Sequence, residues 1–357
     1  MAIVNSGRPT SARTSLRWRH LAVAELHCFT SASFAYLDRV RVLAETLAKH
    51  NPNWKLWLCL VDQEPPGFAF HPEQDGLAGV VRISELGIPN LRTQIFTHDI
   101  VELCTLVKGA MLDQMLARGA DRVVYLDPDI AVFDTLAHIE CLLTQYDVVL
   151  TPHQVEPDEL PSAIRDNEIG SLKWGVYNLG FLAVAGTLEG RRFARWWRDR
   201  LLDHCYDDVP SGLFTDQRWC DLVPAFFDGV HVLRDPGYNV ASWNLSRRPI
   251  TIDENGDIKA AGRPLRFFHF TKVNWVGEAM IERYSGGRVE VFELMHWYRR
   301  RLMVHATHGL PKSWWAYGTY ADGTPIPHAH RRLYRDRADL REHYPNPFTA
   351  GPAAFLP

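Results

Sequence analysis

The sequence predicts an α/β protein with a mostly parallel central sheet that is flanked by helices. The first observation is a series of short runs of consecutive apolar residues, which are typical of strands covered on both faces. The second is that segments with apolar residues at helical spacing separate these runs. The chain has 357 residues and a formal net charge of −3, so it can bury a large core, and it lacks the basic excess of a general nucleic-acid binder.

In the first half of the chain, strands and helices alternate. Strands are predicted at 21–29, 54–62, near Val80, at 120–129 and at 146–150. Helical spacing of apolar residues predicts one helix at 34–47 and a longer one that begins around Asp99, where Gly119 is placed to end it. Proline and glycine indicate a loop near 64–77.

The second half is less regular. Residues 152–172 are rich in proline and acidic residues and predict a loop or lid. A strand is expected at 177–186, a helix at 188–204, a hairpin around Asn255-Gly256, a strand at 263–270 and a helix at 291–304. Residues 1–19 are interpreted as a flexible basic arm, and 305–357 as a proline-, histidine- and aromatic-rich tail.

Neither a membrane span nor a secretory signal is visible in the sequence. The six cysteines are well separated and form no CxxC pair, so reduced cysteines in a cytoplasmic protein are expected rather than disulfides or a zinc site.

Asp127-Pro128-Asp129 is the most specific candidate for a functional motif, because it follows a predicted buried strand. Open parallel sheets bind ligands beyond the carboxyl ends of their strands, and two carboxylates there can hold a hard divalent cation together with a substrate phosphate. Ordinary turn chemistry is the alternative interpretation. His269 lies in an apolar strand, where it is either a core residue or a metal ligand beside the acidic pair.

Five blocks of the sequence, taken in order, resemble the retaining GT-A glycosyltransferases, in particular family 8 and its bacterial relatives. Residues 125–130, Tyr-Leu-Asp-Pro-Asp-Ile, resemble the YLDxDxxV block of that family. The other four blocks are Asn178-Leu179-Gly180-Phe181, Asp216-Gln217, Tyr238-Asn239 with Trp243-Asn244, and His269-Phe270-Thr271. The resemblance extends over about residues 20–280.

This resemblance implies a GT-A-like domain at 20–290 with a C-terminal extension at 291–357. Residues 20–150 would form the nucleotide-binding half, and 151–290 the half that binds sugar and acceptor. Asp127, Asp129 and His269 would hold Mn²⁺ or Mg²⁺ on the diphosphate of a nucleotide sugar. UDP is the expected nucleotide, because it is the one that this family commonly uses. Asp127 would contact the metal or the ribose of the donor.

The remaining site residues that the resemblance implies fall into two groups. The first group is expected to bind the nucleoside and the diphosphate and consists of Thr30, Ser31, Asp62, Lys108 and Lys272. The alternative for Thr30, Ser31 and Asp62 is helix capping or turn chemistry, and the alternative for Lys108 is a solvated lysine on a helix surface. The second group, the catalytic group, is expected to line the donor sugar and consists of Asn178, Asp216 and Gln217. Attack of the acceptor on the front face of the donor sugar is preferred to a covalent intermediate, because the neutral amide of Gln217 is a poor nucleophile. Lys272 is the weakest match, because Trp275 stands where the family has its lysine. Either Lys272 would reach the diphosphate by a different loop path, or Arg266 would replace it.

The acceptor is expected to be a glycan, a lipid-linked sugar or a protein side chain. Tryptophans could border an acceptor groove, since aromatic faces stack on sugars; the candidates are Trp174, Trp219, Trp243, Trp275, Trp314 and Trp315. Arginines at 191, 195, 198 and 299–301 could contact the inner membrane surface, or they could form solvated helix faces. A sugar nucleotidyltransferase and a catalytically silent carbohydrate-binding or scaffold protein are the rival hypotheses.

Overall fold

The computed structural model describes residues 26–273, 275–307, 309–311 and 313–355. The arm predicted at 1–19 and the start of the strand predicted at 21–29 lie outside these residues. The strands are β1 His27–Ala32, β2 Lys55–Leu60, β3 Gly79–Arg82, β4 Arg122–Leu126, β5 Ile130–Val132, β6 Val148–Pro152, β7 Tyr177–Ala185, β8 Asp207–Asp208, β9 Leu213–Phe214, β10 Val230–Val232, β11 Ile250–Ile252, β12 Ile258–Ala260, β13 Arg263–Pro264 and β14 Phe267–His269.

Helices cover both faces of the strands. They are α1 Leu37–His50, α2 Leu91–Thr97, α3 Ile100–Ala117, α4 Ala137–Leu142, α5 Pro161–Ala163, α6 Ile169–Trp174, α7 Leu188–His204, α8 Gln217–Cys220, α9 Val223–Phe226, α10 Trp275–Tyr284, α11 Glu290–Val304, α12 His328–Asp336 and α13 Ala338–His343. None of the helices in the described ranges combines the length and apolar character that a membrane crossing needs.

The central sheet has seven strands in the order β10-β6-β7-β4-β1-β2-β3. All neighbours are parallel except β7, which runs antiparallel to both β4 and β6. The predicted α/β fold with a mostly parallel sheet and flanking helices is therefore confirmed. The reversed direction of β7 was not predictable, because any strand that is buried on both faces shows the same continuous apolar run.

Successive strand residues point to opposite faces of the sheet, and each face has its own core. Phe29 packs in the cluster that contains Met111 of α3 and Trp197 of α7. Cys28, the preceding residue, packs in the cluster that contains Leu43 of α1. The helices predicted at 34–47, from Asp99 and at 188–204 are therefore the layers on either side of the sheet. Asp99 caps α3 by accepting hydrogen bonds from the N–H groups of Val101 and Glu102.

Two segments differ from the sequence-based expectation. Most of the loop or lid predicted at 152–172 is helical, because helical turns extend over 161–174 with a π-helical turn Ile164–Glu168 between α5 and α6. Proline misled the prediction here because Pro161 occupies the first helical turn, where its missing N–H costs nothing. The single strand predicted at 263–270 is divided into β13, which extends the β11–β12 hairpin, and β14, which pairs with β5.

The C-terminal segment packs against the body of the protein. Tyr320, Tyr334 and Phe355 form a buried cluster around Phe96 of α2. The guanidinium of Arg331 is buried and donates hydrogen bonds to the carbonyl oxygens of Phe96 and His98 at 2.9 and 3.0 Å. Aromatic residues that the sequence places in a tail are therefore core residues of this region.

Candidate active site

The acidic pair Asp127 and Asp129 lies in the tight connection between β4 and β5, beyond the carboxyl end of β4. The antiparallel pairing of β5 with β14 sets Ile130 opposite His269. The N–H of Phe270 also donates to the carbonyl oxygen of Asp129 at 2.8 Å. The short β5–β14 ladder therefore brings a histidine that is distant in sequence to the acidic pair.

The three side chains form a compact group of candidate metal ligands. The Nε2 atom of His269 lies 3.0 Å from Oδ1 of Asp129 and 3.6 Å from Oδ2 of Asp127. One ligand atom from each of the three residues lies within 4.8 Å of the other two. Two carboxylates and an imidazole are a donor set suited to Mn²⁺ or another divalent transition metal. The residues therefore fit the metal that the resemblance implies.

Asn178 fixes the orientation of the His269 ring. Its Oδ1 accepts a hydrogen bond from the N–H of Gly180 at 3.1 Å, which identifies this atom as the amide oxygen. Because the same oxygen lies 3.2 Å from Nδ1 of His269, that nitrogen must donate its proton. The lone pair of a neutral His269 is then on Nε2, which faces the carboxylates, as in metal sites whose histidines are oriented by a second hydrogen bond.

Gly180 leaves the space that His269 occupies. A Cβ atom at this position would lie 2.5 Å from Cε1 and 2.8 Å from Nδ1 of the imidazole. We expect Gly180→Ala to displace the ring and to weaken Mn²⁺ binding roughly ten- to hundred-fold, the effect typical of disturbed ligand orientation. Calorimetric titration of Mn²⁺ measures this loss. Unchanged affinity in a folded variant would contradict the role of His269 as a ligand.

Metal binding should also depend on pH. Burial alone would lower the pKa of His269, but Asp129 and Asp127 outweigh burial and raise this pKa above its ordinary value. Because a protonated imidazole cannot bind a metal, we expect Mn²⁺ affinity to fall as the pH decreases through the raised pKa. The fall should begin above about pH 6.5, the ordinary value for histidine.

The pH dependence of stability should have the opposite sense in the metal-free protein. A raised pKa of His269 means that its ion pair with Asp129 stabilises the fold fully below about pH 6.5, and that this contribution is lost as the pH rises through the raised pKa. Calorimetric titrations and thermal unfolding over the range of about pH 5 to 9 test both statements. Mn²⁺ affinity that is constant over this range would argue against His269.

Lys108 of α3 is buried at the base of the acidic pair. Its ammonium group donates to Oδ2 of Asp216 at 2.9 Å and to the carbonyl oxygen of Leu179 at 3.1 Å, and it lies 3.3 Å from Oδ1 of Asp127. Burial opposes the charged form of Lys108, but Asp127 and Asp216 outweigh it and raise the pKa of Lys108. Lys108 therefore places a positive charge between the buried carboxylate of Asp216 and the partly buried carboxylate of Asp127. The Tyr125 hydroxyl donates a further hydrogen bond to Asp127.

Gln217 is connected to the metal-ligand group through Asn178. Its Oε1 accepts from Nδ2 of Asn178 at 3.1 Å and from the N–H of Leu179 at 3.4 Å. Its Nε2 donates to the carbonyl oxygen of Trp174 at 3.0 Å. The predicted catalytic group Asn178, Asp216 and Gln217 is therefore brought together with Lys108 and the metal-ligand group in one hydrogen-bonded network.

The remaining predicted residues lie around or away from this network. Ser31 reaches it through the Tyr125 hydroxyl at 3.1 Å, whereas the hydroxyl of Thr30 is buried without a hydrogen-bond partner among the described residues. The carboxylate of Asp62 accepts from the N–H groups of Phe34, Gln63 and Ala316, and burial raises its pKa to about 6. Lys272 is exposed and has a left-handed backbone with φ of 52°. Nucleoside or diphosphate binding by these residues stays a prediction.

His153 is a site residue that the sequence analysis missed. Its Nε2 lies 3.2 Å from Nδ2 of Asn178, and its ring meets Trp243 edge-on at a centroid distance of 5.4 Å. Burial lowers the pKa of His153 to about 4, and its Nδ1 lies 3.3 Å from the carbonyl oxygen of Val176, to which it must donate. The Nε2 atom of the neutral ring is therefore the acceptor for Asn178. The signal was available, because His153 directly follows β6 just as Asp127 follows β4.

No protein-family model matches the chain. It is 24% identical over 260 residues to the uncharacterized protein YfnD of Bacillus subtilis strain 168, which covers 72% of this chain and 80% of YfnD. It is 26% identical over 184 residues to YfnF of the same strain, which covers 49% of this chain and 58% of YfnF.

Among solved structures, the chain aligns with the galactosyltransferase LgtC in complex with donor and acceptor sugar analogues. The TM-score is 0.47 at 14% identity, over 81% of this chain and 98% of LgtC. For mouse xyloside xylosyltransferase 1 the TM-score is 0.41 at 13% identity, over 70% and 98% of the two chains. The glycosyltransferase GlyE of Streptococcus pneumoniae TIGR4 gives a TM-score of 0.41 at 16% identity, over 78% and 64%.

Proposed function

We propose that this protein is a metal-dependent, retaining glycosyltransferase of the GT-A type. In this proposal it transfers a sugar from a nucleotide-diphosphate sugar, with UDP as the expected nucleotide, to a glycan, a lipid-linked sugar or a protein side chain. We further propose that it acts in the cytoplasm. The observation that carries the proposal is the convergence of Asp127, Asp129 and His269 beside a buried Lys108 at the carboxyl end of the sheet.

Asp127, Asp129 and His269 would hold the metal, with Nε2 of His269 as the nitrogen ligand. When bound, a divalent cation supplies positive charge that stabilises the diphosphate leaving group. Asn178 keeps the His269 ring in the required tautomer, and Lys108 holds the carboxylate of Asp127 in place from a distance of 3.3 Å. These contacts fix the positions of His269 and Asp127, which would limit the reorganisation required when charge develops on the leaving group.

The contacts of Asp216 and Gln217 favour front-face transfer over a covalent intermediate. The carboxylate of Asp216 is held by Lys108 and by the Thr215 hydroxyl, and Gln217 is a neutral amide whose oxygen already accepts two hydrogen bonds. Neither group is a strong nucleophile in this arrangement. Their role in the proposal is to position the hydroxyl groups of the donor sugar, while an oxygen of the leaving phosphate takes the proton of the acceptor.

Thermal unfolding in the presence of nucleotides tests the proposal. UDP, GDP, CDP and dTDP and their common sugars are compared with and without Mn²⁺. A ligand at about 100 times its Kd stabilises a protein by about 2.7 kcal/mol, which corresponds to a rise in Tm of a few degrees for a chain of this size. A rise that occurs for one nucleotide and requires Mn²⁺ would support the donor site. No rise with any of them would contradict it.

A further inference from the structure

A cavity of about 680 Å³ lies between the C-terminal segment, residues 313–355, and the carboxyl ends of β2 and β3. One wall contains Asp62 and Gln63, which follow β2, and Ile83, which follows β3. Tyr317 and Phe348 of the C-terminal segment belong to the other wall. Small-molecule sites have volumes of about 300–1,000 Å³. The cavity therefore has the size of a ligand site, and it lies at the edge of the sheet where α/β proteins bind ligands.

The C-terminal wall is fastened to the loop that follows β2. The N–H of Ala316 donates to Oδ1 of Asp62 at 2.8 Å, and the indole N–H of Trp314 donates to the carbonyl oxygen of Gln63 at 2.8 Å. The side-chain amide of Gln63 in turn donates to the Tyr317 hydroxyl at 3.3 Å. These three hydrogen bonds fix the C-terminal segment across the mouth of the sheet edge.

The same wall is also held to α2. The guanidinium of Arg331 donates to the carbonyl oxygens of Tyr317 at 2.7 Å and of Phe96 at 2.9 Å. The ring of Phe348 meets Phe96 edge-on at a centroid distance of 5.2 Å and lies 6.3 Å from the ring of Tyr317. The half-buried ring of Tyr317 is therefore presented to the cavity from a fixed backbone.

The charges on the cavity lining balance one another. Arg82 pairs with Glu64, and the remaining charged residues of the lining are Asp62 and the exposed Arg92, which have opposite signs. Such a lining favours a neutral group over a phosphate.

The lining combines aromatic rings with groups that form hydrogen bonds. An ionised carboxylate has about four acceptor positions, and three N–H groups of the described residues occupy three of those of Asp62. Tyr317 and Phe348 supply aromatic rings, and Gln63 supplies an amide. A flat, neutral heteroaromatic ring with polar edges, such as a nucleobase, complements these walls.

The sheet relates this cavity to the metal-ligand group. β1 lies between β2 and β4 and is parallel to both. Neighbouring strands are about 4.8 Å apart, so the strands that precede Asp62 and Asp127 are separated by roughly 10 Å. A ligand that reaches both places must be elongated, with an aromatic group at one end and a metal-binding group at the other. A nucleoside diphosphate is built in this way, because ribose joins its base to its diphosphate.

We propose that the C-terminal segment is part of the donor site and that the cavity between Asp62 and Tyr317 takes the base of the nucleotide. The segment at 313–355 would then be required for donor binding as well as for packing. This inference rests on the proposed function, because it takes the metal-ligand group as the place of the diphosphate.

Variants of Tyr317 test the proposal. We expect Tyr317→Leu to weaken UDP binding in the presence of Mn²⁺ about ten-fold, because the base loses an aromatic partner. Tyr317→Phe keeps the ring and should stay within about two-fold of the wild type. Tyr344→Leu is the matched control, since Tyr344 is a half-buried tyrosine of the same segment outside the cavity lining, and it should leave the affinity unchanged. Calorimetric titration measures the affinities, and circular dichroism checks that each variant is folded.

Two fragments of the nucleotide show which end of the ligand is affected. Tyr317→Leu should weaken binding of uridine, measured by NMR titration, by the same factor as binding of UDP. It should leave Mn²⁺-dependent binding of inorganic pyrophosphate unchanged, because pyrophosphate has no base. Asp129→Ala should have the opposite pattern, with loss of pyrophosphate binding and retention of uridine binding.

The outcomes separate this proposal from the proposed function. UDP affinity that is unchanged in Tyr317→Leu, that falls equally in Tyr344→Leu, or that falls together with pyrophosphate affinity would overturn the assignment of the cavity alone. Absence of binding by UDP and by the other nucleotides of the thermal unfolding experiment would reject the proposed function, and with it the role of the cavity. If one of those other nucleotides binds in place of UDP, it and its nucleoside replace UDP and uridine in these titrations.

Discussion

Replacement of Asp129 by alanine should abolish Mn²⁺-dependent nucleotide binding and reduce kcat/KM for sugar transfer by about a thousand-fold. The variant removes the carboxylate that lies 3.0 Å from Nε2 of His269 and leaves an incomplete donor set. In the proposed function the metal stabilises the leaving group by several kcal/mol, and its loss would correspond to a rate decrease of this order. Steady-state kinetics and Mn²⁺ titration measure the two effects.

Asp134→Ala is the matched control for this variant. Asp134 follows β5, five positions after Asp129, and pairs with Arg266 at 2.7 Å outside the metal-ligand group. We expect it to leave Mn²⁺ affinity and kcat/KM within about two-fold of the wild type, because a partly exposed ion pair contributes little. The metal assignment would be falsified if Asp129→Ala retained undiminished transfer, or if both variants lost activity equally.

Replacement of Lys108 by methionine should give the largest loss of stability. The variant leaves the buried carboxylate of Asp216 and the partly buried carboxylate of Asp127 without their shared cation. Breaking a buried ion pair from one side typically costs about 3–5 kcal/mol in the free energy of unfolding. Urea denaturation measures this change. The partly exposed pair of Lys259 with Asp253 supplies the control, since Lys259→Met should change the urea midpoint little.

The pH dependence of this loss identifies its cause. Burial raises the pKa of Asp216 even though Lys108 lowers it, so without Lys108 we expect the Asp216 carboxyl to be protonated more readily. A folded-state pKa above the unfolded value means that stability decreases as the pH rises through that range. The defect of Lys108→Met should therefore be larger at about pH 8 than at about pH 5, and Lys108→Met with Asp216→Leu should recover part of it. A defect that is independent of pH and persists in the double variant would point to packing instead.

Much of the fold was predictable from local sequence patterns. The apolar runs located β1, β2, β4, β6 and β7, and the helical spacing located α1, α3, α7 and α11 within a few residues. These patterns indicate how deeply a segment is buried and at what spacing its apolar residues recur, and both properties depend only on neighbouring residues in the chain. They do not report strand direction or pairing partners, which is why the antiparallel direction of β7 and the division between β13 and β14 were not predicted.

The candidate site, like the fold, was predictable only in part. The sequence by itself determined that Asp127 and Asp129 follow a buried strand, where a parallel sheet binds its ligands, and that Asn178, Asp216, Gln217 and His269 belong to blocks of one family resemblance. It did not show that these residues meet. The pairing of β5 with β14 brings His269 to the acidic pair. The packing of α3 buries Lys108 against Asp216. The position of Asn178 in β7 links His269 to Gln217. Such contacts join residues far apart in the chain, and their geometry depends on register and packing that only the folded structure specifies.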